Sequence, residues 1–186
     1  MKPTAIVPGS LQALAQRDGM SLAESFLSAD AIVIVDTSGS MGAQDARDGQ
    51  SRYKVACQEL QRLQATLPGK VAVISFSSDV HFCPGGVPDY QAGGTDLAAA
   101  LSFVHSADGC GMRFVVISDG YPDNPYAALG QAQQFKDKLD CVYVGPEGGE
   151  GAAFLRQLAA ASGGSYSANT VNDLASDVQR LLLAGT

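Results

Sequence analysis

Apolar residues in this chain fall into two alternating textures. Short, mostly apolar runs occur at residues 31–35, 71–76, 113–118 and 141–144, each with the length and β-branched content of a strand buried on both faces. Between them, apolar positions recur at helical spacing. Ala56, Leu60, Leu63 and Leu67 fall at i, i+4, i+7 and i+11 within residues 52–67, and Pro68-Gly69 stops that stripe. Leu97, Leu101 and Val104 mark a second helix, residues 126–139 a third, and Phe154, Leu155, Leu158 and Ala159 a fourth, closed by Gly163-Gly164. Val171, Leu174, Val178, Leu181 and Leu182 give a terminal amphipathic helix over 171–183, after a short strand at 165–168. Residues 80–83 follow the Ser77-Ser78-Asp79 turn closely enough to form a hairpin with the second strand, which makes them an antiparallel edge. Strand and helix alternate throughout. The expected fold is α/β: three layers, with a doubly wound, mostly parallel sheet and one antiparallel edge strand.

Residues 1–29 precede this pattern and read as a helical extension, with residues 30–186 as the domain proper. Leu11, Leu14 and Ala15 form a short helical face, Asp18-Gly19 a turn, and Ser21-x-x-Glu24 a capping box that opens a second helix through Leu27. The extension either packs on the sheet or orders only with a partner, and the pattern allows both.

The chemistry sits where the strands end. The first strand delivers Asp36, Ser38 and Ser40 into a glycine-containing loop. With 15 Asp and 17 Ser in 186 residues, chance produces an Asp-x-Ser-x-Ser spacing about 0.13 times per chain, so the motif is weak evidence alone. The strand at 113–118 likewise hands Asp119 to Gly120. Thr95 follows a loop rich in Gly and Pro and stands where a helix begins, a place where Thr ordinarily serves as N-cap. In an open parallel sheet the carboxyl ends share one edge, so these loops project to the same side. Two carboxylates and three hydroxyls are hard oxygen donors suited to Mg²⁺ or Mn²⁺, and they leave a coordination position for an oxygen from outside. Asp45 and Asp48, in the polar run that follows, are read as a solvated loop rather than an auxiliary ion site.

Composition narrows the partners. A net charge of −7 and 17% charged residues exclude the basic patches that nucleic acid or anionic membrane would require. No 18-residue apolar stretch is present to insert in a membrane, and the N-terminus lacks the pattern of a secretory signal. Cys57, Cys83, Cys110 and Cys141 are widely spaced with no C-x-x-C pair, which points to free thiols of a reducing compartment and a cytoplasmic chain.

Three stretches together carry a resemblance: Asp36-Thr37-Ser38-Gly39-Ser40-Met41, Gly93-Gly94-Thr95-Asp96-Leu97 and Val115-Val116-Ile117-Ser118-Asp119-Gly120. In this order they resemble the three loops of the metal-ion-dependent adhesion site (MIDAS) of von Willebrand factor A (vWA) domains. Supporting likeness lies in Ser51-Arg52-Tyr53-Lys54-Val55-Ala56, in Val73-Ile74-Ser75-Phe76-Ser77, and in Leu158-Ala159 through Gly163-Gly164; it covers about residues 30–184. The resemblance implies a Rossmann-like domain in which Asp36, Ser38, Ser40 and Thr95 lie near Mg²⁺ or Mn²⁺. Asp119 ligates directly or through water, and a partner protein's Asp or Glu completes the shell. It also implies that the last helix slides when the metal shell rearranges.

Enzymatic readings fit less well. Asp36-Thr37-Ser38-Gly39 departs by one residue from the Asp-Thr-Gly of aspartic proteases, and Asp119-Gly120-Tyr121 supplies no second copy. A Mg²⁺-dependent phosphoryl-transfer enzyme with Asp36 as nucleophile would want a second acid where Ser38 stands and a phosphate-binding lysine. Serine hydrolysis lacks a nucleophile elbow, and His81 with Cys83 would give only two zinc ligands. The expectation is a non-enzymatic module that binds an acidic side chain through the ion. The alternative is an adaptor in which the metal only staples the loops.

Overall fold

The computed structural model describes residues 6–146 and 148–168. Six strands, β1 (Ala31–Asp36), β2 (Val71–Phe76), β3 (Val80–Phe82), β4 (Arg113–Ser118), β5 (Leu139–Tyr143) and β6 (Tyr166–Ala168), form one sheet in the order β3-β2-β1-β4-β5-β6. All pairings are parallel except β2 with β3. The described helices are α1 (Leu11–Asp18), α2 (Leu22–Leu27), α3 (Arg52–Thr66), α4 (Leu97–Val104), α5 (Pro125–Ala132) and α6 (Glu150–Ser162), with short 3₁₀ turns at Gly39–Gly42, Arg47–Gly49 and His105–Ala107.

β1 lies inside the sheet between β2 and β4, and every residue in it is buried. Its Ile34 pairs with Ile74 on one side and Val116 on the other. Successive side chains point to opposite faces, so each strand feeds two cores. Ile32, Ile34, Ile74, Phe114 and Val116 pack with Leu97, Leu101, Ala128, Leu155 and Leu158 of α4, α5 and α6. Val33, Val35, Val73, Val115 and Ile117 pack with Val55, Ala56, Leu60 and Leu63 of α3. Each such aliphatic side chain contributes about 1.5–3 kcal/mol of transfer free energy, so both faces are strongly held.

The chain leaves β1 toward β2 and returns on the other side through β4. The connections diverge there, opening a crevice at the carboxyl ends of β1 and β4. Asp36 ends β1, and Asp119 immediately follows β4.

Two boundaries differ from the periodicity. α5 ends at Ala132 rather than near 139, because Phe135 turns inward and stacks edge-on against Phe114 and His105 with centroids 5.1 and 5.2 Å away. The carboxylate of Asp108 takes the N–H groups of Lys136 and Asp137, and that anchors the reversal. Leu139 therefore opens β5, paired with Phe114, two residues earlier than the apolar run indicates. The expected terminal helix at 171–183 lies outside the described residues.

In the N-terminal extension the capping box is formed in full: Ser21 Oγ accepts from Glu24 N–H and Glu24 accepts from Ser21 N–H. Leu11 is buried in the core, Gln12 N–H donates to Pro84 O at 2.9 Å, and Phe26 meets Phe82 edge-on at 5.6 Å. The extension packs against the β2–β3 side of the sheet.

Truncation of the fully buried Phe114 to alanine is expected to lower unfolding stability by about 3–5 kcal/mol in urea titration. Tyr126→Ala, at an 87% exposed position, should stay within about 0.5 kcal/mol of the native chain.

Candidate metal centre

Local hydrogen bonds turn β1 into its loop. Thr37 donates both its N–H and its hydroxyl to Phe76 O, at 2.8 and 2.9 Å, which ties the end of β1 to the end of β2. Ser38 N–H then donates to Asp36 Oδ1 at 2.8 Å, an Asx-type turn that curls the backbone around the carboxylate. A single 3₁₀ turn at Gly39–Gly42 follows, anchored by the buried side chain of Met41. Within it Ser38 Oγ and Ser40 Oγ lie 3.2 Å apart. Ser38 is buried and Ser40 is exposed, so the hydroxyl pair runs from the interior to the mouth.

β4 completes the acidic floor. Ser118 donates its hydroxyl to Asp36 Oδ2 at 2.6 Å and accepts Gly120 N–H at 2.9 Å. Gly120 has φ +79, and a Cβ there would collide with Gly151 O, so the turn after Asp119 requires glycine. Asp119 is wholly buried. Its Oδ2 accepts from Arg52 Nη1 at 2.8 Å, while its Oδ1 is buried with no hydrogen-bond partner.

The loop before α4 is stitched to the other two by backbone. Gln91 and Ala92 N–H groups donate to Thr37 O, and Gly39 N–H donates to Gly93 O at 3.1 Å. Thr95 N–H donates to Asp123 Oδ2 at 2.9 Å, and Asp123 N–H returns a bond to Thr95 O at 3.0 Å. All three loops are thus joined pairwise at one rim. Asp36, Ser38 and Ser40 are in mutual reach, Asp119 lies beside Asp36, and Thr95 is held on the same rim through its backbone. Thr95 does not cap α4; Asp96 does, accepting Ala99 N–H at 3.0 Å, so the Thr95 hydroxyl is not committed to a cap.

Four residues here escaped the sequence reading as parts of the site. Ser118 and Asp123 bracket Asp119, and their polarity at a strand end was the available clue. Tyr90, whose hydroxyl donates to Gly39 O at 3.1 Å, carried none. Arg52 looks in sequence like any first-turn arginine, yet its guanidinium is nearly buried and forks between Asp119 and Asp45. Asp45 receives Nε and Nη2 at 2.8 and 2.6 Å, so it is an ion-pair partner rather than a plain solvated loop residue.

Burial is the dominant electrostatic fact. It pushes the Asp36 carboxyl up to about 6, against the opposing hydrogen bonds from Ser118 and Ser38, with the nearby Asp119 charge adding to the rise. The hydrogen bonds to Asp45, and then to Asp119, raise the Arg52 guanidinium further above its already high range, and Arg52 in turn lowers Asp45. Buried Asp119 and exposed Asp45 therefore share one cation, and Asp36 has no ion-pair partner among the described residues. The unpartnered Asp119 oxygen, the strained charge of Asp36 and the hydroxyl pair beside them fit a hard divalent ion. Among the described residues no group of three or more His, Cys, Asp or Glu is placed to hold a metal, so an ion would depend on the hydroxyl donors. All four cysteines are free thiols, with Cys83 and Cys141 buried.

No family profile and no curated protein matches the chain. Solved structures do. An aerotolerance-related membrane protein from Bacteroides fragilis, bearing multiple mutations to serine, superposes with a TM-score of 0.68 at 18% identity, covering 84% of this chain and 99% of that one. A von Willebrand factor type A protein from Catenulispora acidiphila gives 0.61 at 17% identity over 84% of this chain and 43% of the other. Proximal thread matrix protein 1 from the mussel byssus gives 0.55 at 12% identity over 93% and 51%. The fold is that of a vWA domain, a six-stranded, mostly parallel sheet with one antiparallel edge.

Because the folded Asp36 binds its proton more tightly than the unfolded chain does, its contribution destabilises the fold above pH 6. That cost is relieved as pH falls through 6 toward the unfolded value of 3.8. In chelator, the stability of the native chain relative to Asp36→Asn is expected to rise between pH 7.5 and 4.5, measured by urea unfolding at each pH. A constant difference would remove the burial argument.

Proposed function

We propose that this chain is a non-enzymatic, metal-dependent protein-interaction module, with Mg²⁺ or Mn²⁺ held by Asp36, Ser38, Ser40, Thr95 and Asp119. The observation that carries this reading is the buried, unpartnered Oδ1 of Asp119 beside the buried carboxylate of Asp36. Leaving such an oxygen unsatisfied costs about 1–3 kcal/mol or more for a charged group. A divalent ion held by these residues would supply Lewis acidity that an outside carboxylate could neutralise.

The protein's own residues do the rest. Ser118 and the Ser38 N–H fix the Asp36 carboxylate, and each of its oxygens keeps a second lone pair. The exposed Ser40 marks the open side, where an Asp or Glu side chain of a partner protein approaches. A cytoplasmic location belongs to the same proposal and rests on the free thiols. No helix among the described residues is long and apolar enough to cross a membrane.

The same unpartnered oxygen favours a second reading, in which the ion only staples the three loops. Ligation confined to the folded state stabilises it by about 2.7 kcal/mol at a hundredfold excess over Kd, whether or not a partner binds.

Mg²⁺ or Mn²⁺ should raise the melting temperature of the native chain by several degrees and leave a Ser38→Ala, Ser40→Ala double variant unmoved. Equal shifts in both proteins would remove the site assignment. Partner capture should require Mg²⁺, vanish in EDTA and vanish with Asp36→Ala; equal capture in all three leaves the staple. Incubation with acyl or aryl phosphates should give no turnover, and metal-dependent turnover lost in Asp36→Asn would make the chain an enzyme.

A further inference from the structure

Arg52 is not among the proposed ligands, yet its guanidinium is the cation of the site. It stands at the first position of α3 with its side chain only 10% exposed, and it donates Nη1 to the buried Asp119 Oδ2 at 2.8 Å. Its other edge is held by Asp45, whose side chain is 41% exposed. Among the described residues Arg52 also acts on the buried Tyr143, a neutral phenol. Arginine keeps its charge at every physiological pH, so this cation is permanent.

The charge balance has a direct consequence. Asp36, Asp119 and Arg52 together sum to −1, so a divalent ion takes the buried site to +1, and one outside carboxylate brings it to zero. Without Arg52 the two aspartates would neutralise the ion alone. Asp45 also holds the guanidinium, but its side chain is 41% exposed and solvent screens its charge, so it offsets only part of the buried cation. In an environment where unbalanced charge is costly, the site closes only when ion and acidic ligand are both present.

We infer that Arg52 makes metal binding and carboxylate binding mutually dependent, holding ion affinity low until an acidic side chain arrives. This rests on the proposed metal centre and adds its regulation. The two affinities then rise together by the same factor, as linkage requires. The Asp119 oxygen opposite the guanidinium remains the one directed at the ion, so Arg52 acts through Asp119 as a positioning residue.

The test is Mn²⁺ titration of the full chain, following free Mn²⁺ by its electron paramagnetic resonance signal, in acetate and in chloride of equal ionic strength. Acetate should tighten Mn²⁺ binding to the native chain about tenfold. Arg52→Gln should bind Mn²⁺ about tenfold more tightly in chloride and lose most of the acetate effect. Asp45→Asn frees the guanidinium for Asp119 and should shift both quantities the opposite way. Arg52→Lys keeps the charge without the fork and should keep the acetate effect. A purely structural Arg52 would weaken binding in every variant, and that result, or an unchanged acetate effect in Arg52→Gln, overturns the inference while leaving the centre standing. If Arg52→Gln does not fold, Asp45→Asn and Arg52→Lys decide on the same criteria. Failure of the native chain to bind Mn²⁺ at all, in either salt, overturns the metal centre and this inference together.

Discussion

Two carboxylates buried at the ends of adjacent strands, only one of them paired with a guanidinium, set the terms for this domain. Water would solvate such charges well, but a sheet buried on both faces does not. The fold compensates Asp36 with the Ser118 hydroxyl and the Ser38 amide, and compensates half of Asp119 with Arg52. The other oxygen of Asp119 is left over. That remainder distinguishes the cluster from an ordinary buried ion pair.

The architecture explains why the charges can be placed there at all. A strand as apolar as β1 is secured by its two neighbours and by helices on both faces, so its last residue can be polar without loosening the sheet. The three loops around Asp36 are held by backbone bonds, Thr37 O to residues 91 and 92, Gly39 to Gly93, and Thr95 to Asp123. Side chains in the rim are thereby freed from structural duty, as the transfer of the α4 cap from Thr95 to Asp96 illustrates.

Likeness to solved structures at 12–18% identity fits this division of labour. The sheet asks only for apolar residues of suitable volume along strands buried on both faces, which many sequences satisfy. The N-terminal extension draws on the same core: Leu11 joins it, and Phe26 covers Phe82 at the antiparallel edge.

The order and type of the elements follow from local pattern. Continuous apolar runs gave β1, β2 and β4 their bounds almost to the residue, and the capping box at Ser21 and Glu24 defined α2, because these features depend on neighbours a few positions apart. The same locality placed Asp36, Ser38, Ser40 and Asp119 at strand ends. Periodicity misled between 133 and 139, where Phe135 is drawn into the core by Phe114 and His105, partners 21 and 30 residues away in the chain. What only the tertiary structure decided was the electrostatics of the site. Arg52 meets Asp119 across 67 residues and Ser118 meets Asp36 across 82, and sequence spacing carries no record of such encounters. Local sequence determined which oxygens stand at the strand ends; long-range packing determined which are already satisfied and which one still lacks a partner.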